Sequence, residues 1–127
     1  MSGPVEQSLQ MLAERAGDPA HLVYRRLFAE LPHTEPLFAH DDTGAIRGEM
    51  LAIAFQCLME PEGAYTANLV RAERANHDGW GVEAADFPRF FPIVRDVCRE
   101  VLGEAWTAEF DTAWSEALAS LDTASRT

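Results

Sequence analysis

The chain has 127 residues, 47% of them hydrophobic, which fits one globular domain over residues 1–127 with a single core. Ten basic residues, all arginine, stand against 21 acidic ones, and the formal net charge is −11. This excess of negative charge disfavours nucleic acid and anionic membrane surfaces as partners. No apolar run reaches the length of a membrane span, and the N-terminal MSGPVEQS lacks a signal-peptide pattern, so we expect a cytoplasmic protein.

The first segment, residues 4–16, has the apolar spacing of an amphipathic helix. Its apolar positions are Val5, Leu9, Leu12 and Ala16. Gly17 is predicted to end this helix. Asp18 then offers a capping side chain and Pro19 a residue suited to the first helical position, which predicts a second helix running to about Leu31.

A short helical turn is predicted where Thr34-Glu35-Pro36 leads into Leu37 and Phe38, followed by the polar loop AHDDTG. Thr43 is the expected cap of the next helix, from about Gly44 to Met59. One face of that helix carries a single charged residue among apolar ones: Arg47, Met50, Leu51, Ala54, Phe55 and Leu58.

The second half predicts three more helices. A helical pattern from Leu69 ends at His77 before two glycines. A long helix follows over 84–102, and Pro92 predicts a kink or an irregular first turn in it. Thr107 caps the last helix, and the tail DTASRT is expected to be frayed. No segment has the pattern of a strand, so the predicted fold class is all-α, with six to seven helices.

His77 is the strongest candidate for a functional residue. Neutral imidazole is the commonest metal ligand, and a carbonyl one turn back can fix its other nitrogen. Cys57 and Cys98 lack metal-type spacing and are interpreted as buried, inert thiols. Tyr24 lies on an apolar face, where its hydroxyl either binds a backbone carbonyl or points into a cavity.

Three strings resemble bacterial single-domain globins, namely bacterial haemoglobins and the globin domain of flavohaemoglobins. VYRRLFAELPHTEPLF is similar to their second helix and its continuation, and RGEMLAIAF to their distal helix. HDGWGVEAADFP, continued by REVLGEAWTAEFDTAW, is similar to their proximal histidine and last two helices. The resemblance implies a globin fold around a haem b pocket.

The resemblance also implies roles for single residues. His77 would be the proximal iron ligand, and Tyr24 the distal donor to a bound diatomic ligand. Arg47 occupies the variable distal polar position, either paired with a haem propionate or reaching an anion on ferric iron. Leu51 would form the apolar wall over the iron. The other residues implied to contact haem are Phe38, Met50, Val82 and Phe87.

Glu73 departs from the family pattern, because globins place an aliphatic residue there against the haem face. A carboxylate at this position is expected to turn to solvent or to meet an arginine such as Arg71 or Arg74. Arg47 is likewise an unusual distal residue for the family.

Three functions remain open from the sequence. The first is a haem globin that binds O₂, NO or CO for storage, sensing or detoxification, or a ferric-haem anion such as azide. The second is a haem-free globin-fold sensor or interaction module, which Glu73 favours, and the third is a plain helical scaffold. NO dioxygenase turnover would require a separate reductase, because no flavin or nicotinamide segment is present. Homodimerisation is also left open.

Overall fold

The computed structural model describes residues 3–126, and all regular structure in that range is helical, which confirms the predicted all-α class for this part of the chain. The α-helices are α1 (Pro4–Ala16), α2 (Ala20–Glu30), α3 (Ala45–Met59), α4 (Ala64–Gly79), α5 (Phe90–Leu102) and α6 (Ala108–Arg126). Short 3₁₀ helices span Pro32–Phe38, Phe87–Arg89 and Gly103–Ala105. Within residues 3–126, no helix combines the length and the apolar character needed to cross a membrane.

The break between α1 and α2 lies where glycine and proline predict it. Gly17 adopts a φ of 68°, a backbone conformation that favours glycine, and its N–H donates to the Ala13 carbonyl. One Asp18 carboxylate oxygen accepts the Ala20 N–H at 3.0 Å. Asp18 therefore provides an acceptor at the start of α2, but the capping position itself is occupied by Pro19, which was predicted at the first helical position.

The start of α3 differs from the prediction in its capping residue. Thr43 accepts only the Ala45 N–H, over a long 3.3 Å. The N–H groups of Ile46 and Arg47 instead donate to the two carboxylate oxygens of Asp41, each at 3.0 Å. These bonds, with the Arg47 guanidinium, outweigh the effect of burial and lower the pKa of Asp41. A buried aspartate in the preceding loop thus anchors α3.

The last three helices confirm one detail of the prediction and correct three. Helix α5 starts at Phe90 and not near residue 84, so Pro92 lies in its first turn, and the preceding 3₁₀ helix Phe87–Arg89 gives the irregular start that was predicted. The helix that carries His77 begins at Ala64, five residues before Leu69. The tail is not frayed through residue 126, because α6 continues to Arg126 and buries Ala124 and Ser125. Thr127 lies outside the described residues.

The core is centred on Trp114 of α6, which is 0% exposed. Its indole N–H donates to the Ser8 hydroxyl at 2.8 Å, and that hydroxyl donates to the Val5 carbonyl at 2.7 Å. A buried polar network is therefore satisfied where α1 meets α6. Helix α6 also packs on α3 and α4, while α5 packs on α1 and α2. This arrangement fixes the two helices, α3 and α4, that each supply five residues to the walls of a large cavity.

Candidate functional site

The cavity has a volume of about 590 Å³, within the usual range for small-molecule sites. Its walls come from α2, the 3₁₀ helix Pro32–Phe38, α3, α4, α5 and the segment between α4 and α5. Three lining residues are large, apolar and yet exposed, namely Leu37, Ile46 and Trp80, the last at 82%. Apolar surface therefore extends from the cavity to solvent. A smaller cavity of about 350 Å³ between α5 and α6 contains no histidine or cysteine.

His77 lines the larger cavity near the end of α4, with 24% of its side chain exposed. Its Nδ1 lies 2.6 Å from the Glu73 backbone carbonyl. A carbonyl oxygen only accepts, so Nδ1 carries the proton and the neutral ring keeps its lone pair on Nε2. The ring makes a T-shaped contact with Phe87, with 5.1 Å between ring centroids. This is the tautomer in which histidine binds a metal through Nε2.

The turn after α4 brings further apolar residues beside this imidazole. The Val82 N–H donates to the His77 carbonyl at 2.9 Å, and Gly81 adopts a φ of 91°, which favours glycine. Val82 and Phe87 line the cavity, as do Phe38 and Met50. The structure thus brings together five residues that the sequence placed at one site.

Tyr24 and Arg47, predicted as distal polar residues, are not among those that line the cavity. Tyr24 is buried, and its hydroxyl donates to the Arg47 backbone carbonyl at 2.8 Å, the first of the two alternatives open from the sequence. Burial raises the pKa of this phenol, so its proton stays in place. The Arg47 guanidinium donates to the Asp41 carboxylate at 3.0 Å and to the Asp41 carbonyl at 2.9 Å. Both side chains are engaged where α2 meets the start of α3.

Replacing Tyr24 with Phe is expected to lower the free energy of unfolding by about 0.5–1.5 kcal/mol, the net contribution of a neutral hydrogen bond. The Arg47 carbonyl would lose this partner inside the protein. Urea unfolding of the full chain measures the change. Tyr65→Phe is the matched control, because Tyr65 is exposed and should shift stability by less than about 0.5 kcal/mol. Equal effects of the two substitutions would contradict the Tyr24 bond.

The face of α3 that lines the cavity differs from the apolar face identified in the sequence. Met50 lines the cavity as predicted and Ala54 lies beside it, but Leu51 is buried elsewhere in the core and is not among the lining residues. The residues of α3 on this wall are Ile46, Met50, Ile53, Ala54 and Cys57. All five are apolar or weakly polar, so this wall carries no charged group.

Cys57 lines the cavity although the sequence did not assign it to the site, and Glu73, which was expected to turn to solvent or to meet an arginine, lines it as well. A Glu73 carboxylate oxygen lies 3.8 Å from His77 Nδ1, whereas Arg71 hydrogen-bonds Asn68 instead. Burial, and then the Glu73 charge, raise the pKa of the Cys57 thiol. The thiols of Cys57 and Cys98 are free and buried, as expected. His40, in the polar loop AHDDTG, is exposed but also lines the cavity.

Glu73→Gln is expected to speed alkylation of Cys57 by iodoacetamide, because removing the carboxylate charge lowers the thiol pKa and raises the thiolate fraction. Mass spectrometry of the full chain over time, at fixed pH, gives the rate for each cysteine. Cys98 should stay slow, since burial raises its pKa to about 11. Glu62→Gln, at an exposed position before α4, is the control and should leave the rate unchanged. An unchanged alkylation rate of Cys57 in Glu73→Gln would contradict an effect of the Glu73 charge on the Cys57 thiol.

Comparison of the chain with protein-family models, with curated proteins and with solved structures gave no match.

Proposed function

We propose that the chain is a haem-binding protein of the globin type that reversibly binds a small gaseous ligand such as O₂, NO or CO. The observation that carries the proposal is the imidazole of His77 in the wall of a mainly apolar cavity, with its Nδ1 proton directed to a backbone carbonyl. A site of this kind offers the iron one strong neutral ligand, His77. The α3 wall carries no charged side chain that would compete as a ligand.

The residues of the cavity fit haem b by their chemistry. Haem, when bound, supplies an iron that is held by one histidine and keeps a position open for a small ligand. His77 would hold the iron through Nε2, and the Glu73 carbonyl would fix the ring orientation. Phe38, Val82 and Phe87 supply apolar contacts, and Trp80 and Leu37 extend them at the opening.

The α3 wall determines which ligands this site would favour. Met50, Ile53 and Ala54 offer no hydrogen-bond donor from their side chains, and the Cys57 thiol is a weak one. Such a wall excludes water and stabilises ligands that carry little charge, such as CO and NO. The distal roles of Tyr24 and Arg47, including an arginine that reaches a ferric-haem anion, stay predictions. Each would require the side chain to leave a hydrogen bond that it makes in this structure.

Glu73 favours the second candidate function, a haem-free sensor or interaction module with the same helices. Its carboxylate belongs to the wall of the cavity, and placing a macrocycle over it would remove water from a charged group. The same carboxylate lies 3.8 Å from His77 Nδ1, beyond hydrogen-bond distance, and the proton on that nitrogen is already directed to the Glu73 carbonyl, so a neutral His77 does not compensate the charge. Haem affinity decides between the two functions.

Titration of the purified full chain with haemin tests the proposal. We expect a Soret band that saturates at one haem per chain, and a shifted spectrum when the reduced protein is exposed to CO. A linear rise in absorbance without saturation, and no CO shift beyond that of free haem, would overturn the proposal and support the haem-free function. Turnover as an NO dioxygenase would be tested only with an added reductase.

A further inference from the structure

We propose that His33, Glu83 and Asp86 form a binding site for a divalent transition-metal ion of the Zn²⁺ type. Each residue offers one ligand atom, the imidazole nitrogen or a carboxylate oxygen, and the three atoms lie within 4.8 Å of one another. Zinc binds such atoms at about 2.0–2.2 Å, so a small side-chain movement would bring all three into its first coordination sphere. The inference does not depend on haem binding.

Two separate parts of the chain supply these ligands. His33 belongs to the 3₁₀ helix Pro32–Phe38, whereas Glu83 and Asp86 lie in the segment between α4 and the 3₁₀ helix Phe87–Arg89. The Asp86 N–H donates to the Glu83 carbonyl at 2.9 Å, so one turn presents both carboxylates. The Asp86 side chain is only 10% exposed, and its carboxylate lies 2.5 Å from His33 Nε2. The position of Asp86 is therefore fixed, while Glu83 and His33 can adjust around an ion.

The charges around the cluster favour a cation. Among the described residues, the Glu83 carboxylate makes no hydrogen bond or ion pair, although the backbone of Glu83 does. Arg89, the basic residue closest in sequence, donates instead to Glu30 at 3.0 Å. In the part of the chain that the structure describes, neither carboxylate of the cluster forms an ion pair with an arginine. One imidazole with two carboxylates suits zinc and related ions, whereas all-oxygen sites suit calcium and magnesium.

A metal at this position would join two parts of the cavity rim. Asp86 lines the cavity, and His33 is in the same 3₁₀ helix as the lining residues Leu37 and Phe38. The ion would cross-link this helix to the segment that follows α4. Bound metal should therefore raise the melting temperature of the chain, because only the folded state brings the three ligands together.

Isothermal titration of the metal-free full chain with ZnCl₂ tests the site. We expect saturation at one ion per chain, and at least a tenfold loss of affinity in His33→Ala and in Glu83→Gln. Glu83 is exposed, so Glu83→Gln should keep the fold, and the far-ultraviolet circular dichroism spectrum checks this for both variants.

Other histidines provide the controls. His21→Ala, His40→Ala and His77→Ala should each bind zinc with wild-type affinity. The proposal is overturned if the chain shows no saturable binding, or if Glu83→Gln and His33→Ala bind like the wild type. It is also overturned if only His77→Ala or His40→Ala loses the ion, because the ion would then lie in the cavity.

Discussion

His77→Ala is expected to abolish stable haem binding, with loss of the one-to-one Soret titration. The imidazole of His77 lines the cavity, and its Nδ1–H···O bond to Glu73 leaves Nε2 as the free lone pair. The apolar contacts from Phe38, Val82 and Phe87 would remain, but they give no bond to iron. Removing the ligand should therefore lower haem affinity by far more than removing any one apolar contact.

His40→Ala is the matched control, since His40 is the other histidine that lines the cavity in the described part of the chain. It lies in an exposed loop, and its loss should leave the spectrum of the reduced CO complex unchanged. Added imidazole should restore haem binding to His77→Ala by entering the space of the missing side chain. If His40→Ala lost haem while His77→Ala kept a normal spectrum, the ligand assignment would be wrong, although the haem proposal itself would stand.

The helices were predictable because local signals and burial agree in them. Gly17, the Asp18-Pro19 pair and Thr107 each lie at a helix boundary in the structure, and Thr107 accepts the Phe110 N–H as a capping residue does. The turn beside His77 was predictable for a related reason: Gly81 closes it and returns the chain to the end of α4. These features depend on residues close to one another in sequence.

The orientation of α3 was not predictable by the same means. This helix carries apolar residues on almost every side, among them Ile46, Met50, Leu51, Ile53 and Ala54. Periodicity selects a face only when a polar face opposes it. Packing of α3 against α1, α2 and α6 decides instead that Ile53 and Cys57 line the cavity and Leu51 does not.

The capping of α3 was missed because the acceptor lies unusually far from the helix. Asp41 is four residues before the first residue of α3, outside the normal capping position, which Gly44 occupies. Only the folded loop returns its carboxylate to the N–H groups of Ile46 and Arg47. The same bonds hold the Arg47 guanidinium beside Asp41, so a residue predicted to face a ligand is part of the helix start.

Trp114→Ala should cause the largest loss of stability, about 3–5 kcal/mol, which is the usual cost of truncating a buried tryptophan or phenylalanine. Trp114 is fully buried in α6, and its truncation would leave a void and remove the hydrogen bond to Ser8. A domain of this size has a free energy of unfolding of about 5–15 kcal/mol, so the variant should be only marginally stable. Urea unfolding of the full chain, followed by circular dichroism, measures the loss.

Two further substitutions separate the origins of this effect. Trp80→Ala removes the same side chain from a position that is 82% exposed, and should change stability by less than about 0.5 kcal/mol. Trp114→Phe keeps an aromatic ring but loses the N–H donor, so it should fall between the wild type and Trp114→Ala. The Ser8 hydroxyl would still donate to Val5 in that variant, which leaves no buried donor unpaired there. Equal losses of stability for Trp80→Ala and Trp114→Ala would contradict a core centred on Trp114 of α6. They would also contradict the packing of α6 against α4, the helix that carries His77.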